Sequence, residues 1–310
     1  MPIAPLIESI PNFSEGRSRK NISAIVDHVA RNSRVRILDL SSDPDHHRSV
    51  LTIVGELEEI HSGILALVEK AVELIDLRRH HGVHPRIGAV DVVPLVPIRS
   101  FSMEECVGLA RRLGREIASR HSLPVYLYGM AARRKDRGNL ADIRRGQFEG
   151  LPGKITSEEW TPDFGPAAVH PTAGATAVGA RNPLIAYNVN LEPPDLETAR
   201  RIARTLRQSS GGFPFVKAMG WVLRDRNIAQ VSMNLENYRR TSIHHVFEKI
   251  RLEANRLGSR IVGSEIIGLI PREALQDSTG KELHIDGIGP DRILENRLQE
   301  EPAPGDREDE

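Results

Sequence analysis

The 310 residues carry 42 Lys and Arg against 42 Asp and Glu, so the formal net charge is zero. Domains that bind nucleic acid normally show a clear excess of positive charge, and this balance argues against a nucleic-acid partner. The length exceeds that of a typical single domain and predicts two compact units, each large enough to bury a core.

The remaining composition points to a cytoplasmic protein. Cys106 is the single cysteine, which excludes an intramolecular disulfide, and its place among helical apolar positions predicts a small buried residue. No apolar run approaches the roughly 20 residues of a membrane-spanning helix, and the start lacks the features of a secretory signal. We therefore expect no membrane partner. Residues 300–310 are acidic and contain two prolines, which predicts a disordered tail.

The first half of the chain predicts a β-α-β-β-α-β order. The predicted elements are, in chain order, a strand at 6–10, a helix at 22–30, strands at 35–40 and 50–54, a helix at 60–75 and a strand at 89–96. Pro94 and Pro97 predict that the last strand lies at a sheet edge or ends early. A further helix begins at Ser102, with Glu105 as its capping-box partner, and another strand follows at 125–128.

The second half repeats this order. It predicts a strand at 184–191, a helix behind Asp195 at 196–206, strands at 215–223 and 228–235, a helix at 243–257 and a strand at 260–270. The fold class is therefore α+β, with two ferredoxin-like β-α-β-β-α-β subdomains that each carry helices on one sheet face. We place the subdomains at 1–180 and 181–299, followed by the tail at 300–310.

Three histidines within five residues form the most informative segment, His80-His81-Gly82-Val83-His84. His80 and His84 have the spacing of a zinc-binding helix, but Gly82 and Pro85 interrupt a helix there, and the metalloprotease glutamate is absent. A proton-transfer histidine on a loop is the better interpretation, because imidazole titrates near neutral pH. Spacing alone favours the alternative that all three are structural or exposed.

Other candidate residues lie upstream and at the boundary between the halves. Arg48 is suited to a bidentate pair with a carboxylate and equally to a surface salt bridge. Ser14 is placed to cap the following helix, whose exposed amides would suit an anion. The small residues of segment 163–176 allow close approach of a flat ligand, although a plain linker fits as well. Gly174–Arg181 lacks the Lys-Ser/Thr ending of a phosphate loop, which disfavours nucleotide binding.

Ordered sequence blocks over nearly the whole chain carry a resemblance to a known family. They are Ile10-Pro11-Asn12-Phe13-Ser14-Glu15-Gly16, Gly82-x-His84-Pro85-Arg86-x-Gly88-Ala89-x-Asp91, Val125-Tyr126-Leu127-Tyr128-Gly129, Pro162-Asp163-Phe164-Gly165-Pro166, Gly174-Ala175-Thr176, Gly179-Ala180-Arg181, Ala229-Gln230-Val231-Ser232, Val262-Gly263-Ser264-Glu265 and Gly268-Leu269-Ile270-Pro271. In these blocks the chain resembles the glutamate formimidoyltransferase family, also called the formiminotransferase domain.

The resemblance implies a cytoplasmic homodimer that transfers a formimino group from N-formimino-L-glutamate to tetrahydrofolate, in histidine breakdown. Tetrahydrofolate would be a co-substrate and no metal would be required. The family's two αβ subdomains face each other across a folate cleft. The cyclodeaminase domain of the fused relatives is not expected here. Open alternatives are formyl transfer between 5-formyltetrahydrofolate and glutamate, a non-catalytic folate-binding module, and a metal-dependent hydrolase.

The resemblance also assigns site residues. The catalytic histidine of the family falls on His84. Its folate-binding stretch falls on Gly165, Pro166, Ala167, Ala168, Val169, His170, Pro171, Thr172, Ala173 and Gly174. Some relatives carry an aromatic residue at the position of Ala173. For the substrate carboxylates we expect Arg48 and Arg86, and for Asp91 a role in orienting an imidazole or balancing the charge of the amidinium.

Overall fold

The computed structural model describes residues 5–275, 283–285 and 289–299. The chain divides into two compact units, Met1–Arg181 and Asn182–Glu310. The predicted α+β class is confirmed, because each unit contains one sheet and its own helices. The predicted tail at 300–310 lies outside the described residues, and the predicted cleft shared by the two sheets stays a prediction.

The first unit contains a seven-stranded sheet. Its elements are β1 (Leu6–Ser9), β2 (Asn12–Phe13), α1 (Arg19–Asn32), β3 (Arg36–Asp43), β4 (Arg48–Gly55), α2 (Leu57–Leu74), β5 (Val90–Arg99), α3 (Met103–His121), β6 (Val125–Gly129), α4 (Leu140–Ile143), α5 (Gln147–Gly150) and β7 (Thr176–Ala180). β3 pairs with β4, and β1 and β2 both lie between β4 and β5, all antiparallel. β7 extends the sheet by parallel pairing with β5 and β6.

The first core lies between this sheet and helices α1, α2 and α3. Ile7, Ile53 and Leu95 face the helices and are fully buried. Helix α3 begins behind Ser102 with the predicted capping box to Glu105. Cys106 on α3 is buried as predicted, and burial raises the pKa of its thiol to about 12. A buried neutral thiol of this kind is a packing residue rather than a nucleophile.

The edge position predicted for the last strand of the first repeat is wrong. β5 is an inner strand that continues to Arg99, with Pro94 and Pro97 inside it. On one side it pairs with Ser9 of β1 and Asn12 of β2, and Pro94 lies opposite the break between those two strands. The missing N–H of Pro94 therefore interrupts no ladder hydrogen bond to β1 or β2, and proline is tolerated there.

The second unit repeats the order with a four-stranded antiparallel sheet. Its elements are β8 (Ile185–Glu192), α6 (Leu196–Leu206), β9 (Val216–Leu223), β10 (Ile228–Leu235), α7 (Ile243–Arg256), β11 (Arg260–Ile267) and α8 (Leu294–Gln299). The strands lie in the order β11-β8-β10-β9, equivalent to β5-β1-β4-β3 of the first unit. Asp195 caps α6 as expected. Among the described residues, no helix is long and apolar enough to cross a membrane.

Candidate active site

Two other segments of the first unit contact the histidine loop, which comprises residues 80–89 between α2 and β5. The loop between α2 and β5 contacts the turn between β3 and β4, where the Val83 amide donates to the Asp45 carbonyl at 3.2 Å. Gly82 makes this approach possible, because a Cβ there would lie 2.4 Å from the carbonyl oxygen of His46. From the other side, the Phe148 amide donates to the Arg86 carbonyl at 3.0 Å. The loop is therefore held on two sides.

His80 has a fixed tautomer. Its Nε2 donates to the His47 carbonyl at 2.7 Å, and its Nδ1 accepts from Arg86 Nε at 3.0 Å. Burial lowers the pKa of His80 to about 4, so the ring is neutral at pH 7. With both nitrogens engaged, His80 has no free position for a proton from a substrate. It is a structural histidine, whereas His81 is exposed.

Arg86 is buried and uses all of its donors within the protein. Nε and Nη2 bind the ring and the carbonyl of His80, and Nη1 and Nη2 form a bidentate pair with Glu149 at 2.8 and 2.6 Å. The fifth N–H goes to Gln147 at 3.2 Å. A guanidinium has five N–H groups. A substrate carboxylate would have to displace Glu149 or another of these partners to reach Arg86.

Asp91 joins the histidine loop to Arg144. Its Oδ1 accepts from the Ile87 amide at 2.8 Å, and its Oδ2 accepts from Arg144 Nε at 2.9 Å and from Nη2. Asp91 is 1% exposed, and this buried ion pair fixes the guanidinium beside the loop. The hydrogen bonds of Asp91 therefore go to an amide and a guanidinium rather than to an imidazole.

His84 lies among these groups with its ring in the neutral form. Burial lowers the pKa of His84 well below its ordinary value, and the positive charges of Arg48 and Arg144 lower it further. His46 and His80 contribute in the same direction, and the His46 ring lies 6.5 Å from the His84 ring between centroids. A neutral imidazole at pH 7 is the form that accepts a proton.

The expected anion site at the start of the first helix is occupied by the protein itself. Ser18, not Ser14, caps α1. The Glu15 carboxylate accepts from the amides of Arg17 and Ser18 at 2.9 and 3.0 Å. Burial opposes ionisation of Glu15, but these hydrogen bonds and one from Asn21 outweigh it and lower the pKa of Glu15. An external anion would therefore meet a carboxylate there.

Ser14 has a different role from the predicted helix cap. Its hydroxyl donates to the Gly88 carbonyl at 2.7 Å, and its amide donates to the Ala89 carbonyl at 2.8 Å. Ser14 is buried. It anchors the end of the histidine loop to the segment behind β2, so the cap prediction was wrong because a tertiary contact engages the side chain.

The predicted folate stretch, 165–174, ends against the histidine loop. The Ala89 amide donates to the Ala173 carbonyl, and the Ala175 amide donates to the Ile87 carbonyl, each at 2.9 Å. Residues 165–168 are exposed, whereas Ala173 is buried in the core and offers no side-chain surface. His170 Nδ1 accepts from the Ala173 amide at 3.0 Å and closes the turn. The structure thus brings the end of this stretch against Ile87 and Ala89, which follow His84 in the same loop.

The sequence interpretation missed Arg144, Gln147 and Glu149. They lie in or beside α4 and α5, which are four residues each and too short for a periodic pattern. Their partners Asp91 and Arg86 are far away along the chain. Among residues 5–275, 283–285 and 289–299, no group of three or more His, Cys, Asp or Glu side chains is arranged to hold a metal ion.

Comparison with known sequences decides the family. The profile of the formiminotransferase domain, N-terminal subdomain, matches residues 6–181, and that of the formiminotransferase domain matches residues 186–284. The chain belongs to the formiminotransferase domain family. The first profile ends at the last residue of the first unit, and the second profile lies within the second unit.

Relatives within the formiminotransferase domain family include stand-alone and fused proteins. The chain is 45% identical to the glutamate formimidoyltransferase of Streptococcus pyogenes serotype M1, over 96% of this chain and 99% of that protein. It is 46% identical to the glutamate formimidoyltransferase of Thermoplasma acidophilum, over 95% and 97%. It is also 44% identical to the formimidoyltransferase-cyclodeaminase of Sus scrofa, over 89% of this chain and 52% of that protein.

Proposed function

We propose that this protein transfers the formimino group from N-formimino-L-glutamate to tetrahydrofolate, giving 5-formiminotetrahydrofolate and L-glutamate. Membership of the family and near-complete coverage of relatives named glutamate formimidoyltransferase support the activity. The single observation that carries the site is that burial and two arginines keep His84 neutral in a loop that is hydrogen-bonded to the end of segment 165–174. That arrangement supplies a base, cationic groups for an anionic donor and a backbone-rich surface.

In the proposed mechanism, N5 of tetrahydrofolate attacks the formimino carbon and a tetrahedral intermediate forms. His84 accepts the proton from N5, the bond between the carbon and the glutamate nitrogen breaks, and His84 returns the proton to that nitrogen. The N5–C bond replaces the C–N bond, so no external reductant or oxidant is required. General acid–base transfer contributes about 10²–10⁴-fold, and holding the two substrates together contributes much of the rest.

The other residues receive supporting roles in this proposal. Segment 165–174 binds the folate, and Arg48 at the start of β4 binds a carboxylate of the donor by charge-assisted hydrogen bonds. Arg86 acts through Glu149 and His80, since it holds both against the histidine loop. Asp91 positions Arg144, and no metal takes part.

We also infer from the family resemblance that the protein is a cytoplasmic homodimer. Two observations are needed to check this inference. Light scattering of the purified protein measures its mass in solution, which for a dimer is twice the 34.5 kDa of one chain. Fractionation of the source cells measures the compartment. A mass of one chain at working concentration contradicts the dimer.

A transfer assay tests the activity itself. Protein is mixed with tetrahydrofolate and N-formimino-L-glutamate, and acid quenching converts 5-formiminotetrahydrofolate to the absorbing methenyltetrahydrofolate. We expect signal only when both substrates are present. Faster transfer from N-formyl-L-glutamate than from the formimino donor would instead assign the protein to formyl transfer. Tetrahydrofolate binding without transfer from either donor would assign it to folate binding alone.

The charge of Arg48 makes a prediction about pH. The neutral form of His84 is active, and its lowered pKa keeps it neutral as the pH falls below 6.5, so activity is lost only when the pH falls through that lower pKa. Arg48→Met removes one cation, raises the pKa of His84 and moves the acid limb of kcat/KM to higher pH. The profile of kcat/KM against pH, with identical substrates for both proteins, measures this shift. Arg120→Met, at an exposed position of α3, is the control. If the acid limb of Arg48→Met does not move, Arg48 does not act on the pKa of His84.

A further inference from the structure

Arg144 is the second cation at His84, and its hydrogen bonds leave one side of the guanidinium unused. Nε and Nη2 both donate to Asp91 Oδ2. Among the described residues, Nη1 has no hydrogen-bond partner, and the side chain is 15% exposed. A guanidinium held along one edge presents its remaining nitrogen in a fixed direction, because the group is planar.

The anchor of Arg144 is itself rigid. Asp91 is buried, and its Oδ1 is held by the Ile87 amide in the histidine loop. Behind Arg144, the bidentate pair of Arg86 with Glu149 ties the same segment to the same loop. Arg144 therefore cannot swing away without breaking a buried ion pair. A binding group that is held in place before the ligand arrives loses little entropy on binding.

The charges around His84 favour an anionic ligand. Arg48 at the start of β4 and Arg144 behind α4 both place positive charge near the ring, whereas His80 is neutral at pH 7. Asp91 offsets the charge of Arg144 in part. Arg48 and Arg144 both disfavour a proton on His84, and the carboxylate of Asp91 is bonded to one edge of Arg144 only. A carboxylate bound at the Nη1 edge of Arg144 would be attracted by both positive charges.

We propose that Arg144 is a specificity-determining residue that binds one carboxylate of the glutamyl donor through Nη1 while Asp91 holds its other edge. This inference rests on the proposed function. The donor carries two carboxylates, and the geometry assigns one to Arg144 and leaves the other to Arg48. Binding of the donor brings negative charge next to His84, so the ring becomes a stronger base when a proton has to be accepted. A donor without that carboxylate would lose both the contact with Arg144 and the increase in the basicity of His84.

Two variants separate this role from general charge loss. Arg144→Gln removes the cation. Arg145→Gln removes the neighbouring cation, which is 71% exposed and paired with Asp142, and serves as the matched control. Calorimetry measures the affinity of each protein for N-formimino-L-glutamate and, separately, for tetrahydrofolate. Steady-state kinetics measures KM for each substrate.

We expect Arg144→Gln to weaken donor binding about 10- to 100-fold, as for the loss of a hydrogen bond between charged groups. Tetrahydrofolate affinity should stay within about twofold, and Arg145→Gln should change neither affinity. A donor with the carboxylate that contacts Arg144 converted to an amide should bind the unsubstituted protein more weakly by a similar factor. Arg144→Gln should bind this amide donor with nearly the same affinity as the unsubstituted protein does. Unchanged donor affinity in Arg144→Gln would overturn the proposal.

The folate also has a glutamate moiety, so its carboxylate could bind Arg144 in place of the donor's. The separate affinities for the donor and for tetrahydrofolate show which molecule supplies the carboxylate. Loss of tetrahydrofolate affinity with unchanged donor affinity would assign Arg144 to the folate and overturn the donor role. If Arg144→Gln does not fold, Arg144→Lys is measured instead. Lysine keeps a cation against Asp91, but its single ammonium group cannot bind Asp91 and the donor carboxylate together as the guanidinium does. A donor affinity of Arg144→Lys equal to that of the unsubstituted protein would overturn the proposal. If the unsubstituted protein binds the donor but transfers nothing, and Arg144→Gln loses that binding, the proposed function is wrong and the role of Arg144 in donor binding stands.

Discussion

Replacing His84 by Ala is expected to lower kcat by about 100- to 10,000-fold and to leave the fold intact. The reason is that the neutral His84 ring is the proposed acceptor of the N5 proton, whereas His80 has both ring nitrogens engaged. Rapid-quench measurement of product formation, with both substrates saturating, gives the rate. The far-UV circular dichroism spectrum and the affinity for tetrahydrofolate check the fold.

The matched control for this substitution is His81→Ala. His81 is exposed on the same loop, and its removal should change kcat by less than about twofold, as for other exposed positions away from the chemistry. A His84→Ala protein with normal kcat would remove His84 from the mechanism. Equal losses in both variants would show that the loop, rather than the His84 imidazole, carries the effect.

Gly174→Ala is expected to have the second largest effect. Gly174 has φ of +71°, and a Cβ there would lie 2.1 Å from the carbonyl oxygen of Ile87, close behind His84. The backbone strain and the clash together should lower the free energy of unfolding by about 2–5 kcal/mol. They also push Ile87 away from its position, and a displacement of about 1 Å near reacting groups costs about 100-fold in rate. Denaturant unfolding and the transfer assay measure the two effects.

Gly211→Ala separates strain from the clash. Gly211 has φ of +83°, but a Cβ added there would meet no atom within 4 Å, so its substitution adds strain alone, about 1–2 kcal/mol. Its activity should stay close to that of the unsubstituted protein. If Gly174→Ala and Gly211→Ala lose the same stability and both keep full activity, the junction between segment 165–174 and the histidine loop has no role in the site.

Local patterns were sufficient for most helices and strands of the fold. Apolar periodicity and N-caps at Ser102 and Asp195 placed helices α3 and α6 correctly. The errors came where a distant contact decides the outcome. Pro94 lies in an inner strand because β1 and β2 break opposite it, and Ser14 bonds Gly88 while Ser18 caps the helix. Neither contact can be predicted from the residues next to Pro94 or Ser14 in the sequence.

The candidate site was predictable only in part. Spacing left His80, His81 and His84 equivalent, and the resemblance selected His84. The structure adds a physical difference, since His80 uses both nitrogens in bonds to His47 and Arg86. Arg144 could not be found from the sequence, because its partner Asp91 is 53 residues away and α4 is too short to predict.

The measurement that tests the central claim most directly follows the formimino carbon itself. N-formimino-L-glutamate labelled with ¹³C at that carbon is mixed with tetrahydrofolate and protein, and ¹³C NMR records where the label goes. We predict that it leaves the glutamate nitrogen and appears on N5 of the folate, only when both substrates are present. Label that stays on the donor while tetrahydrofolate binds, or that is released as a free one-carbon product, would contradict group transfer.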